Sequence, residues 1–129
     1  MGVYQGNDLR KITGGLKRRH SKVKRKYWMG RPPTETLLGK EKIAIIRVMG
    51  GNDKVRVRFA EYANVIDPQS KQTRKVKITR VVSNPSSRDY DRRGVITRGA
   101  LIETELGLAR VTSRPGQDGT VNAVLVKSK

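Results

Sequence analysis

The chain of 129 residues has no cysteine, one histidine, one tryptophan, one phenylalanine and only 11 acidic residues against 29 lysines and arginines. Each scarcity excludes a class of chemistry. Without cysteine there is no disulfide framework, no thiolate metal site and no Cys nucleophile, a composition that fits a reducing cytoplasm. The lone histidine, His20, lies inside a run of cations that disfavours its protonation, so a polar contact in a binding segment is a simpler reading than a general base. No apolar run approaches the roughly 20 residues that a spanning helix needs, and no signal-peptide core follows the basic residues. Gly6 stands where an N-myristoylation signal has Ser or Thr, and Pro85 disqualifies Asn84-Pro85-Ser86 as a glycosylation acceptor. Neither a phosphate-cradling Gly-Lys loop, a dinucleotide fingerprint nor an HExxH pattern occurs. Asp89 and Asp91 would suit a cation or a carboxylate pair, but Arg88, Arg92 and Arg93 surround them and favour local charge pairing. The expectation is a protein with no active site, no cofactor, no metal, no membrane and no small-molecule substrate.

What the chain has instead is positive charge, a net +18 with a pI of about 11.0. It is concentrated. Residues 1–40 carry 11 basic and 2 acidic residues, whereas residues 41–129 carry 18 and 9, so the first third holds half of the net charge. Arg10 to Arg31, RKITGGLKRRHSKVKRKYWMGR, has ten Lys or Arg and no acid. Burying such a segment costs several kcal/mol per ion even after relaxation, and its charges repel one another. It calls for a polyanion, and nucleic acid fits better than an anionic membrane surface because no anchor accompanies it. The organisation expected is a basic nucleic-acid-binding extension over 1–40 and a globular domain over 41–129.

Within the extension, Thr13-Gly14-Gly15 is a flexible break. Leu16, His20, Val23 and Tyr27 fall at helical spacing, so a short helix is expected once the charges are neutralised. Gly30-Arg31-Pro32-Pro33 is extended, and ordered structure is expected after Gly39. Beyond that point the pattern is of strands. Ile43 to Met49 places Ala44, Ile46 and Val48 on one face. A turn at Gly50 to Asp53 follows, and then Val55, Val57 and Phe59 alternate with Lys54, Arg56 and Arg58. The alternation continues weakly from Tyr62 to Ile66. Asp67 to Ser70 is a turn, and Lys75 to Val82 a strand with Val76, Ile78 and Val82 inward. Ser83 to Arg93 reads as a polar loop. Short strands follow at Val95 to Thr97, Ala100 to Glu105, Leu108 to Ser113 and Thr120 to Val126. The last has apolar residues on both faces, so it is central or covered. No helical period appears after Lys40. The fold class is all-β, a small closed antiparallel β-barrel of about six strands with an extended basic N-terminal arm.

The candidate binding residues follow from this division. Arg10, Lys11, Lys17, Arg18, Arg19, Lys22, Lys24, Arg25, Lys26 and Arg31 offer phosphate contacts driven by counterion release. Tyr27 and Trp28 either stack on an unpaired base, worth roughly 1–3 kcal/mol each, or pack back on the barrel. Lys54, Arg56 and Arg58, beside Lys75 and Lys77, form a second phosphate surface or an ordinary solvated face. Arg110 and Arg114 flank the loop Arg114-Pro115-Gly116-Gln117-Asp118-Gly119, whose free N–H groups meet a phosphate or whose glycines simply serve the turn. Composition does not separate RNA from DNA.

The stretches GGLKRRHSKVKRKYWMGRPPTET, GGNDKVRVR and ITRGALIETELGLARVTSRPGQDGTVNAVLV resemble the archaeal and eukaryotic-type small-subunit ribosomal protein family S-eight-e. The similarity covers nearly the whole chain, and at this length it is of the archaeal kind. The resemblance implies a β-barrel with a basic extension, bound to 16S-type rRNA and to neighbouring small-subunit proteins, without enzymatic activity or cofactor. It implies a structural constituent of the small (30S) subunit, in which the arm orders in RNA crevices while the barrel fixes its entry point. The competing readings are a free-standing RNA- or DNA-binding module, such as an RNA chaperone or chromatin-type protein, and an RNA-processing enzyme.

Overall fold

The computed structural model describes residues 10–16 and 26–126, and the chain divides into two compact units, Met1–Pro33 and Thr34–Lys129. In the first, Lys11 donates its N–H to Gly15 O at 2.8 Å and Arg10 pairs with Leu16, so the break at Thr13-Gly14-Gly15 is a tight reversal with Gly14 at φ 82°. Lys26–Trp28 form a single 3₁₀ turn. The rest of the helix expected across Leu16 to Tyr27 lies outside the described residues.

The second unit is built of eight strands in two sheets. Strands β4 (Tyr62–Ile66), β5 (Thr73–Ser83), β6 (Leu101–Thr104), β7 (Gly107–Val111) and β8 (Asn122–Leu125) close into a barrel. The expected barrel is therefore present with five strands, and the number dictates its closure. Five strands joined by successive antiparallel pairings leave the first and last running the same way, so β4 meets β8 in parallel. β8 is hydrogen-bonded on both sides, by β4 and by β7, which accounts for its two apolar faces. The other three strands form a separate sheet in the order β1 (Leu37–Leu38), β3 (Asp53–Ala60), β2 (Lys42–Arg47), with β1 parallel to β3. Strand pairing thus starts at Leu37 rather than after Gly39.

A five-stranded barrel has a narrow lumen, and the residues that fill it are correspondingly small. Ala63, Ala109 and Ala123 are at most 1% exposed. Each faces a larger neighbour across the ladder: Ala63 opposite Val76, Ala109 opposite Ile102 and Leu125, Ala123 opposite Val65 and Val111. Ile78, Ile96 and Val121 complete the core.

Two irregularities correct the simple alternation. β3 skips Arg58 in its register with β2, passing from Ile43↔Val57 to Lys42↔Phe59. Val57 and Ala60 are buried while Phe59 is 37% exposed against Gly39. β5 skips Thr79 and Val82 in its register with β6, so Val81 packs on the core and Val82 faces out, the reverse of the period-two reading. An extra residue in one strand turns every later side chain to the opposite face.

Two segments read as loops contain short helices. α1 (Arg88–Arg93) starts where the Ser87 hydroxyl accepts the Asp89 N–H and ends at Gly94 in the left-handed region. Its signals were Ser, Asp and Gly at cap positions, with no apolar stripe. α2 (Pro115–Asp118) is one turn long, with proline in its first turn and Gly119 at φ 76° after it. Val95 to Thr97 is no strand; Ile96 makes one isolated bridge, to Thr36.

The segment from Thr34 to Gly39 ties the two sheets together. Buried Thr36 donates its hydroxyl to Val57 O at 2.7 Å, and its own carbonyl accepts the Ile96 N–H at 2.8 Å. Gly39 donates to Ala60 O at 3.1 Å. Glu35 accepts both terminal nitrogens of Arg93, one at 3.0 Å, and Arg93 also reaches Asp89 at 2.7 Å. Nearby, buried Asn84 is held at both ends of its amide: its Nδ2 donates to Val95 O at 2.6 Å, and its Oδ1 accepts Ser86 N–H and the Thr97 hydroxyl.

Two outcomes test this framework. A Cβ on Gly119 would lie 2.8 Å from Val55 Cγ1 in a left-handed backbone, whereas one on Gly94, at φ 63°, would meet nothing within 4 Å. Gly94→Ala should cost about 1 kcal/mol of backbone strain, and Gly119→Ala about 2–4 kcal/mol once overpacking is added. Val55→Ala should relieve part of the second cost in a denaturant-unfolding cycle. The Arg93 hydrogen bond holds the Glu35 carboxyl below its ordinary value of 4.5. The folded chain therefore binds that proton more weakly than the unfolded chain. The stabilisation is complete above the ordinary value and disappears as pH falls through the folded one. Melting curves of the wild type and Glu35→Gln should accordingly differ at neutral pH and converge in acid.

Candidate nucleic-acid interface

Of the predicted arm residues, Arg10, Lys11, Lys26 and Arg31 are described and all are exposed. Lys17, Arg18, Arg19, Lys22, Lys24 and Arg25 lie outside the described residues, as does His20. Tyr27 and Trp28 stand edge to face, ring centroids 5.2 Å apart and planes at 72°. Tyr27 is 69% exposed and Trp28 half-buried, so a flat aromatic surface is open to solvent beside exposed Lys26.

The cations of β3 are not equivalent. Arg58, the residue skipped in the register, is exposed. Lys54 and Arg56 are half-buried, opposite Ile46 and Ala44, and their stems lie on that apolar face. Arg56 donates from Nη1 to the Thr34 hydroxyl at 3.3 Å, and its Nε is enclosed with no partner among the described residues. Part of its function is therefore to hold the Thr34 segment. Lys75 and Lys77 belong to the barrel, in a different sheet from these three. Lys77 pairs with Glu61 at 3.5 Å, and Lys75 lies 5.0 Å over the Tyr62 ring.

Arg110 is exposed on the outside of β7 between Leu101 and Val124. Arg114 is exposed too, and three N–H groups of the loop beside it are engaged within the loop itself. Arg114 N–H donates to Asp118 Oδ2 at 2.8 Å, and the N–H groups of Gln117 and Asp118 donate to Arg114 O. The glycines serve packing: Gly116 lies against Thr34 and Gly119 against Val55. Asp89 and Asp91 are likewise engaged, Asp89 with Arg92 and Arg93 and Asp91 with the Asn84 N–H.

The described surface thus offers isolated cations and an aromatic pair. Among the described residues, no cluster of three His, Asp or Glu side chains forms a metal-binding constellation. Sequence reasoning overlooked a charged cleft formed by Lys40, Glu61, Lys77 and Thr79. No sequence signal marks it, because its walls come from three separate segments.

Comparison with known proteins places this chain. The profile of the family described as Ribosomal protein S8e matches residues 4–126. A relative named small ribosomal subunit protein eS8 from Ignicoccus hospitalis is 62% identical over 130 residues, covering 100% of both chains. Its namesake from Hyperthermus butylicus is 59% identical over 130 residues, 100% of this chain and 96% of the relative. That from Sulfurisphaera tokodaii is 56% identical over 128 residues, 98% and 99% of the two chains. All three sources are archaea. With the match spanning arm and barrel alike, the chain belongs to the ribosomal protein S8e family.

Proposed function

We propose that this chain is a structural constituent of the small (30S) ribosomal subunit in the cytoplasm, where it binds and scaffolds 16S-type rRNA and meets neighbouring small-subunit proteins. The observation that carries the reading is the end-to-end similarity to relatives named small ribosomal subunit protein eS8. The physical chemistry is consistent with it. Ten cations without an acid between Arg10 and Arg31 repel one another, and phosphates neutralise them where water only screens them. Each phosphate neutralised releases condensed counterions, which supplies the free energy of binding.

The arm carries the dense phosphate contacts, through Lys17, Arg18, Arg19, Lys22, Lys24, Arg25 and their neighbours, and Tyr27 and Trp28 offer faces to unstacked bases. Arg58, Arg110 and Arg114 add contacts from the second unit, with Lys54 and Arg56 contributing in smaller measure because they are half-buried. Such contacts position the protein by backbone shape and charge. The role is binding and scaffolding, without a catalytic step.

Deleting residues 10–31 should leave the barrel's circular dichroism and cooperative melting intact while severely weakening rRNA binding; loss of folding in the shortened chain would contradict the division of labour. With about eight phosphates contacted, affinity of the full chain should fall roughly 10³–10⁵-fold between 50 and 200 mM salt. Filter binding across that range measures the slope, and a flat dependence would defeat the electrostatic mechanism. Sedimentation separates the main rival: this chain should remain with small subunits at moderate salt, whereas a free-standing chaperone washes off.

A further inference from the structure

A charged cleft of the second unit lies between the segment around β1 and the middle of β5. It measures about 560 Å³, within the roughly 300–1,000 Å³ of small-molecule sites. Leu38, 37% exposed, gives it apolar surface suited to the face of a ring, and Gly39 and Ile78 also line it. Lys40, Glu61, Lys77 and Thr79 bring polar groups to it.

Those polar groups are held in place but not consumed. The Glu61 backbone is fixed by the Ile78 N–H, which donates to Glu61 O at 2.9 Å. Its carboxylate touches Lys77 through Oε1 alone, at a long 3.5 Å. Among the described residues, Oε2, the Lys40 ammonium and the Thr79 hydroxyl have no partner. Thr79 is also the residue skipped where β5 pairs with β6, which passes from Ile78↔Thr104 to Arg80↔Glu103. A bulge there re-aims one residue out of the ladder, and that residue lines the cleft.

We propose that this cleft receives one unpaired guanine nucleotide, an inference that rests on the rRNA-binding reading above and adds a position of base readout to it. A carboxylate with a free oxygen accepts parallel N–H groups. Among the four bases only guanine presents two of them side by side on its Watson–Crick edge, N1–H and N2–H. Adenine and cytosine place an acceptor nitrogen next to their amino group, which would oppose the second carboxylate oxygen, and uracil sets its single N–H between two carbonyls. Glu61 reads that edge, Leu38 contacts the ring, and Lys40 takes the attached phosphate. The base must be unpaired, since pairing covers the same edge.

Kethoxal, which forms its adduct on N1 and N2 of unpaired guanines, reads this contact directly. The full chain is bound to small-subunit rRNA, and the RNA is probed in parallel with kethoxal and with hydroxyl radicals. Wild-type protein should shield one guanine that is reactive in the free RNA. Glu61→Gln, which replaces an acceptor by a donor at constant shape, should return that guanine to its free reactivity with the backbone footprint unchanged. Glu61→Ala should do the same. Replacing that guanine by inosine, which lacks the N2 amino group, should weaken wild-type binding about tenfold and leave Glu61→Ala binding unaffected. Identical kethoxal patterns for wild type and both variants, alongside an intact backbone footprint, would overturn the guanine site and leave rRNA binding standing. No backbone footprint for the wild type would overturn the rRNA reading itself and the guanine site with it.

Discussion

Everything in the folded unit depends on how the six residues from Thr34 to Gly39 are fastened. They lie between two sheets that share no strand, and hydrogen bonds of Thr36 join one to the other. The hydroxyl satisfies the Val57 carbonyl of the three-stranded sheet, and the backbone carbonyl takes the Ile96 N–H beside the barrel. Buried polar atoms without partners cost about 1–3 kcal/mol each, so this arrangement leaves little choice of position. Glu35 with Arg93, Thr34 with Arg56, and Gly39 with Ala60 extend the same seam. The glycines of α2 complete it from the other side by lying directly on Thr34 and Val55.

That seam explains why a chain so rich in cations folds at all. Its acids are few, and in the second unit several of them are placed against arginines or backbone N–H groups where structure needs them: Glu35 on Arg93, Glu103 on Arg80, Asp91 on the Asn84 N–H and Asp118 on the Arg114 N–H. Exposed pairs of this kind each contribute little. Their arrangement still matters, because it leaves Arg58, Arg110 and Arg114 with exposed side chains. Between Arg10 and Arg31 there is no acid to do the same.

The barrel itself was legible because period-two alternation, turn residues and small apolar side chains all point to the same architecture. Asp67 to Ser70, Leu106-Gly107 and the glycines after Met49 mark their turns by composition, and the turns are there. Alternation, however, reports only that a strand has a covered face. It does not say which sheet covers it, so β2 and β3 looked like barrel strands although they form their own sheet with β1. Nor does it register an extra residue, and the bulges at Arg58, Thr79 and Val82 moved Phe59 and Val82 to faces that the pattern did not assign. α1 was missed because a one-and-a-half-turn helix held by Ser87, Gly94 and ion pairs has no apolar stripe to betray it.

The binding surfaces divide in the same way. Charge density is a property of sequence, since like charges close together along the chain are close in space whatever the fold. The sequence by itself therefore determined that the positive charge is concentrated between Arg10 and Arg31, that the remainder is built of strands around a β-barrel, and that these 129 residues offer no thiolate or disulfide chemistry. Tertiary structure alone decided the inward turn of Arg56, the internal use of the N–H groups beside Arg114, and the cleft where Lys40, Glu61 and Thr79 meet. Those depend on contacts between residues tens of positions apart and on the parity of a strand register, and neither is written in any local stretch of the chain.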